Sequence, residues 1–392
     1  MKYSASPVGA HVADCTVVVV DDVLPNRALI TAYLQRAGFS RILAASDGRQ
    51  ALNLIRSTSP DLVLLDLLMP EMDGFEVCEA LRSDPSFADL PILAMTALED
   101  ADERARAFAM GATDMILKPV HHAELIARTS AHLERRLLIN GLKEFHGRTA
   151  AELGLAREMQ RSLLPTAGTI KQIGARNGID VAAVFTPSSE LGGDIWGIWS
   201  IDTSRVGVYT VDFSGHGVAA AINTFRIHTL LASGDFNRSD PGQFLADIND
   251  NLTGLLPLGQ YATMLYAVLD SDSNIMTYAA AGCPAPVLLH RNSAPLGLDS
   301  SGVPLGIERG IEYITRQAAF GPGSRVLLHS DALPEARMPG GALLGEDAAR
   351  AMVASALRRE SASEVIDDLA AQIALTVGTG LDDDLTIICL TR

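Results

Sequence analysis

The stretch CTVVVVDD, residues 15–22, is a short β-branched run with no polar side chain until two aspartates end it. Its lack of alternation suits a strand covered on both faces, the kind found in parallel sheets. Outward from it the chain alternates between two periods. A helical pattern (24–39), the strand RILAAS (41–46), a helix (47–59), the strand DLVLLD (61–66) and the loop LLMPEMDG (67–74) come first. A helix, the strand PILAMTA (91–97), another helix and DMILKP (114–119) follow. Alternating β and α units of this length predict an α/β fold with a doubly wound parallel sheet. Function in such sheets gathers at the carboxyl ends of the strands. Asp21, Asp22, Asp66, Thr96 and Lys118 all fall there.

That placement has a chemical meaning. Three carboxylates brought to strand ends repel one another unless a divalent cation sits among them, and oxygen-only ligands suit Mg²⁺. The metal and a lysine can then neutralise a phosphoryl group on one carboxylate. A single acid after a strand ordinarily just begins a solvated loop. Five residues at the matching ends of four strands ask for another explanation. On these motifs residues 15–135 resemble the response-regulator receiver family. The resemblance implies that Asp66, in LLDLLMP, accepts the phosphoryl group. Asp21 and Asp22 would hold Mg²⁺ with the backbone carbonyl of Leu68, and Thr96 and Lys118 would contact phosphoryl oxygens. A histidine kinase or phosphotransfer protein would be the donor. Met115 departs from the pattern, standing where the family usually has an aromatic coupled to the threonine. That route of signal propagation is therefore not carried over.

Residues 136–168 read as a helical linker. From Leu138 a three-four spacing runs through Leu142, Phe145, Thr149, Ala156, Met159 and Leu163, a seam suited to pairing in a coiled coil. Gly141, Gly147 and Gly154 each cost about 1 kcal/mol against alanine in a helix. The stretch could hold as one weak seam or break in two. A homodimer through this linker is the preferred reading, against a helix packed on its own domain. Pro165 ends it, and residues 1–14 form an N-terminal tail.

Residues 169–392 mix short strands (179–187, 195–202, 205–213, 261–270, 325–331) with helical patterns at 217–233 and 240–256. This predicts an α+β sandwich of antiparallel sheets flanked by helices. Asp194 follows a Gly-Gly turn, Asp212 ends VGVYTVD, Asp331 ends VLLHSD, and Asp383 and Asp384 precede the last strand. Separate aspartates, without paired histidines or a Cys-x-x-Cys, describe an oxygen site for Mg²⁺ or Mn²⁺. Two such ions about 4 Å apart can activate a shared water for in-line attack on phosphorus. Gly-Gly-Asp alone is by default a turn. It could also open a cyclic-dinucleotide synthase, but Ile195 and Trp196 stand where that signature needs an acid and an aromatic.

The stretches AREMQRSLLP, GGDIWG, VDFSGHGVAAA, YATMLYAVLD, AGCPAPVLL, GVPLGI, RVLLHSDALPEAR and DDLTIICL occur in order over roughly 155–392. They resemble the PPM-type metal-dependent Ser/Thr phosphatases, specifically the SpoIIE/RsbU branch. The resemblance implies that Asp212 bridges two Mn²⁺ or Mg²⁺ ions and that Phe213 adds a backbone carbonyl. Asp331 and Asp383 would hold the second metal, and Asp194 would act directly or through water. Gly193 and Gly215 would shape the loops, and His216 would be a candidate general acid. Ala332 and Cys283 depart from the pattern, replacing a glycine beside a ligand and a histidine.

The combination predicts a response regulator with a Ser/Thr phosphatase output controlled by Asp66. In the family the usual substrate is a phosphorylated anti-sigma-factor antagonist. The rival is a catalytically weak phosphatase-like domain that serves as a protein-binding adaptor. The net charge of −16 argues against nucleic-acid binding. The four dispersed cysteines, and an N-terminus without a signal-peptide pattern or membrane span, predict a cytoplasmic protein with reduced thiols.

Overall fold

The computed structural model describes residues 10–97, 101–215, 217–291, 293–377 and 381–392. The chain divides into two compact units, Met1–Thr149 and Ala150–Arg392.

The first unit runs α1 (Ala10–Ala13), β1 (Thr16–Val20), α2 (Leu24–Ala37), β2 (Arg41–Ala45), α3 (Gly48–Thr58), β3 (Leu62–Asp66), α4 (Gly74–Arg82), β4 (Ile92–Thr96), α5 (Ala101–Ala109), β5 (Asp114–Leu117) and α6 (His122–Arg161). All strand pairs are parallel, in the order β2-β1-β3-β4-β5. The expected doubly wound sheet is present. Every residue of β3 and β4 is buried, as a strand covered on both faces requires. One face packs Val17, Val19, Leu62 and Leu64 against α2 and α6; the other packs Val18, Val63 and Leu65 against α3 and α4. Side chains start the helices. Asp47 accepts from the Gln50 amide at α3, and Asp73 and Glu76 form a reciprocal capping box at α4.

The expected helical linker falls within and just beyond one long helix. Helix α6 begins already at His122 and runs unbroken through Gly141, Gly147 and Gly154, none of which has a neighbour a side chain would meet. Three helix-weakening glycines are outvoted by the good helix formers around them. Leu138, Leu142, Phe145 and Met159 of the expected seam are exposed.

The second unit adds α7 (Ala167–Asn177), β6 (Asp180–Thr186), β7 (Asp194–Ser200), β8 (Arg205–Phe213), α8 (Val218–Ser233), α9 (Pro241–Leu252), β9 (Ala262–Asp270), β10 (Ile275–Ala281), β11 (Val287–Leu289), β12 (Leu296–Gly297), β13 (Arg316–Ala319), β14 (Arg325–His329), α10 (Glu346–Ala356), α11 (Ala362–Thr376) and β15 (Leu385–Thr391). Two five-stranded antiparallel sheets form, ordered β13-β10-β9-β8-β7 and β12-β11-β14-β15-β6. Alternation along β8 shows the layering: Val206 and Val208 join the core between the sheets, while Tyr209, Val211 and Phe213 face the core under α8 and α9. Val353, Leu369 and Ile387 close the far side beneath α10 and α11. The result is the expected sandwich with a helical layer on each face. Among the described residues, no helix is long and apolar enough to cross a membrane.

Candidate functional site

Two acidic sites form, one in each unit. In the first, the strand order reverses between β1 and β3, so both strand ends open on one crevice. Asp21, Asp22 and Asp66 each offer a carboxylate oxygen there, all within 4.8 Å of one another. Asp21 and Asp66 are buried. Lys118 Nζ, arriving from the end of β5, lies 2.5 Å from Asp66 Oδ2 and 2.9 Å from Asp21 Oδ2. Burial raises the Asp66 carboxyl above its usual range, with the Lys118 hydrogen bond opposing it. Burial also lowers the lysine, but hydrogen bonds to Asp66 and Asp21 outweigh it and the ammonium is held above its ordinary range.

Thr96 is buried at the end of β4, where its carbonyl accepts from the Lys118 amide. The Leu68 amide donates to Asp66 Oδ1 at 3.3 Å. A Cβ at Gly74 would stand 2.3 Å from the Asp66 carbonyl, so only glycine lets α4 start this close to the acceptor. Arg27, which motif reasoning did not single out, donates to the carbonyls of Asp21 and Asp22 at 2.5 and 3.0 Å and fixes the acidic turn. Met115 is buried with Leu67, Phe75 and Ala107.

In the second unit, Asp194 and Asp212 are direct partners across the β7–β8 ladder. Ser330 holds the other sheet's acids in reach: its Oγ donates to the Asp384 carbonyl and accepts from the Thr386 amide. Asp331 thereby faces the segment carrying Asp383. The sheets meet where Thr386 Oγ1 donates to Asp194 Oδ2 at 2.5 Å. Asp194 Oδ1 is buried with no hydrogen-bond partner.

The carboxyls respond as a group. Burial, with Asp212 adding repulsion, holds Asp194 well above the usual carboxylate range. Burial and the Asp331 charge push Asp212 up to about 7, and burial with Asp383 pushes Asp331 to about 6. A solitary buried oxygen among mutually repelling carboxylates is a donor set that fits divalent cations. No three of these acids, among the described residues, come within the 4.8 Å spacing of the receiver cluster.

Glycine shapes the loops. A Cβ on Gly193 would come within 3.0 Å of the Phe213 carbonyl, which the turn instead approaches bare. Gly215 takes φ +91°, open to glycine and strained for other residues. Ala332 is not among the described positive-φ residues, so the alanine in place of the family's glycine is not strained. Cys283 follows Gly282 as a free, partly buried thiol that desolvation raises to about 12. His216 lies outside the described residues.

Sequence reasoning misses one supporting residue, Gln160, and the supporting part of another, Asp384. Asp384 was noted beside Asp383, but its carboxylate is consumed by the Ser188 and Gly193 amides at 2.7 and 2.5 Å. Gln160, near the end of α6, is buried; it donates to the Gly192 carbonyl at 2.6 Å and to Thr224 at 2.9 Å, and accepts from the Gly192 amide at 3.1 Å. The Gly-Gly-Asp turn is therefore clamped from both sides. AREMQRSLLP contained the glutamine, but nothing in its spacing pointed at a turn over thirty positions away.

Comparison with known proteins follows the same division. Residues 17–130 match the response regulator receiver domain, and residues 202–392 match Stage II sporulation protein E (SpoIIE). Response regulator MprA of Mycolicibacterium vanbaalenii is 41% identical over 152 residues, covering 38% of this chain and 64% of its own length. A probable transcriptional regulator ycf27 of Guillardia theta is 40% identical over 119 residues, 30% of this chain and 45% of its own. The chain thus spans about half the length of these curated relatives. The SiaA-PP2C domain of Pseudomonas aeruginosa superposes with a TM-score of 0.55 at 20% identity, covering 64% of this chain and 98% of that one. At that identity the likeness is one of fold.

Proposed function

We propose, from the match of residues 17–130 to a receiver domain and of residues 202–392 to SpoIIE, that the chain is a response regulator whose output is a metal-dependent phosphoserine/phosphothreonine phosphatase governed by phosphorylation of Asp66. The observation carrying this reading is the meeting of Asp194 and Asp212 from one sheet with Asp331 and Asp383 from the other, in a site where their charges raise one another's proton affinity.

Asp212, Asp331, Asp383 and Asp194 would hold two Mn²⁺ or Mg²⁺ ions, with the Phe213 carbonyl reached past Gly193. When bound, such ions supply an activated water and neutralise phosphoryl charge. The protein's own part is positioning. Thr386 and the β7–β8 register fix Asp194, Asp384 and Gln160 hold the turn before it, and Ser330 ties the Asp331 strand to the Asp383 segment. His216 remains the candidate proton donor to the leaving serine oxygen.

In the receiver, Asp21, Asp22 and Asp66 would hold Mg²⁺. An Asp66 oxygen attacks the phosphorus of a kinase phosphohistidine, the P–N bond breaks, and an acyl phosphate forms. Lys118, already against Asp66 Oδ2, is placed to balance the added negative charge. By resemblance the substrate is a phosphorylated anti-sigma-factor antagonist, and the exposed apolar seam of α6 supports pairing of two copies.

The test is Mn²⁺-dependent hydrolysis of p-nitrophenyl phosphate and of a phosphoserine protein. Turnover should fall by at least a hundredfold in Asp212→Ala. Absence of turnover with any divalent metal, in protein that binds phosphorylated antagonist, would favour the adaptor reading instead.

A further inference from the structure

At the amino ends of β4 and β5, the end of the receiver sheet away from Asp66, a cavity of about 330 Å³ opens beside α6. Leu90 and Pro91, just before β4, and Thr113, just before β5, line it on the sheet side. From α6 come His132, Arg135, Arg136, Ile139 and Lys143, whose spacing of three, four and seven puts them on one helical face. The lining carries four cationic side chains, Arg82, Arg135, Arg136 and Lys143, against the single carboxylate of Asp89. In a chain of net charge −16 this local sign is reversed.

Arg82 is held by neutral partners alone, which orient it without cancelling its charge, whereas Arg136 combines carbonyl contacts with a long ion pair to Asp61. Arg82 donates to the carbonyls of Gly111, Phe87 and Leu90, each at 2.9 Å. Arg136 donates to the Asp89 and Pro60 carbonyls at 3.1 and 3.5 Å, and its Nε stands 3.9 Å from Asp61, too far for a hydrogen bond. Lys143 pairs with Asp89 at 2.8 Å, but both are largely exposed and such a pair is weak. Arg135 makes no ion pair among the described residues. Arg82, with most of its N–H groups committed to carbonyls and Thr113, contributes positive charge, while Arg135 and Lys143 at the rim have N–H groups to offer a phosphate. Leu90, Pro91 and Ile139 add an apolar surface beside them.

We propose that this pocket binds a small phosphate-bearing molecule with a planar or apolar body, of mononucleotide size. The volume is at the lower end of ligand pockets, which favours a mononucleotide over anything larger. Extended polyanions such as nucleic acid are repelled by the whole chain's charge, whereas a small anion feels chiefly the local lining. Occupancy would tie the early turns of α6 to the sheet ends.

The test is calorimetric titration of the full chain with 5′-AMP and, separately, with inorganic phosphate. EDTA is kept present so that neither ligand is drawn to metal-loaded carboxylates. Saturable AMP binding that weakens with added salt is expected. It should fall at least tenfold in the Arg135→Ala/Lys143→Ala variant, whose changes lie at the exposed rim and spare the core. Asp89→Asn should tighten it a fewfold. No saturable binding at millimolar AMP, or binding unchanged in the double variant, overturns the proposal. Phosphate binding as tight as AMP overturns the assignment of a planar body to the ligand.

Discussion

Replacing Asp212 by asparagine in metal-free protein is expected to make the C-terminal unit more stable. In the folded chain this carboxyl is pushed up to about 7, whereas an unfolded aspartate titrates near 3.9. Folded protein therefore holds a proton that unfolded protein lacks between roughly pH 4 and pH 7. Its stability falls as pH rises through that window and levels off above it. At about 1.36 kcal/mol per unit, roughly three units give a penalty of at most ~4 kcal/mol at pH 8. Asp331, raised by the same cluster, shares part of that repulsion and is not added again. Relaxation and partial exposure reduce the figure, leaving about 2–3 kcal/mol for the neutral amide to recover. Urea unfolding in EDTA, followed by fluorescence, reads the correct unit, because both tryptophans, Trp196 and Trp199, lie in β7. Asp212→Asn should unfold at higher urea than wild type at pH 8, and the gap should narrow toward pH 5 and close near pH 4. Saturating Mn²⁺ should erase the gap, since an ion at a hundred times its dissociation constant stabilises wild type by about 2.7 kcal/mol. A variant no more stable than wild type in EDTA at pH 8 would show that these carboxylates do not repel, and the metal reading would go with them.

Gln160→Ala strands the Gly192 amide and carbonyl, so a loss of about 1–3 kcal/mol and a weaker Mn²⁺ requirement curve are expected from unfolding and metal titration. Asp66→Asn should not incorporate phosphate from acetyl phosphate, as read by phosphate-affinity electrophoresis, while leaving metal-dependent basal turnover in place. Beryllofluoride should alter turnover or association in wild type and leave Asp66→Ala unmoved; identical responses would break the link between the receiver and the output. Leu142→Glu/Phe145→Glu, on the exposed side of α6, should shift a dimer to monomer in light scattering without changing the helix content.

The receiver was legible because its chemistry sits at strand ends, and unbroken runs such as VVVV and LVLL announce those strands. Asp21, Asp22, Asp66 and Lys118 needed only the alternation of elements to be placed together. The sandwich was legible as strands and helices, and the family pattern selected its acids. Their neighbours were not. Asp384 looks like a twin of Asp383, yet two amides on a distant turn occupy it. Gln160 belongs to a helix read for its apolar spacing, and its partners are backbone groups, which carry no side-chain signature. The linker glycines predicted weakness by propensity, a local quantity, and α6 forms across them because its length and composition supply more than three residues withdraw.

The facing of Asp194 and Asp212 across β7 and β8 has a consequence for assembly. Side chains on a strand alternate between faces, so pairing these two strands one step out of phase would turn one aspartate away from the other and bring Trp196 and its neighbours to the wrong side. Such a mispaired hairpin could not present both acids to a cation. Metal uptake during maturation would thus favour chains whose hairpin has closed in phase, making the ion an inspector of the sheet as well as a reagent.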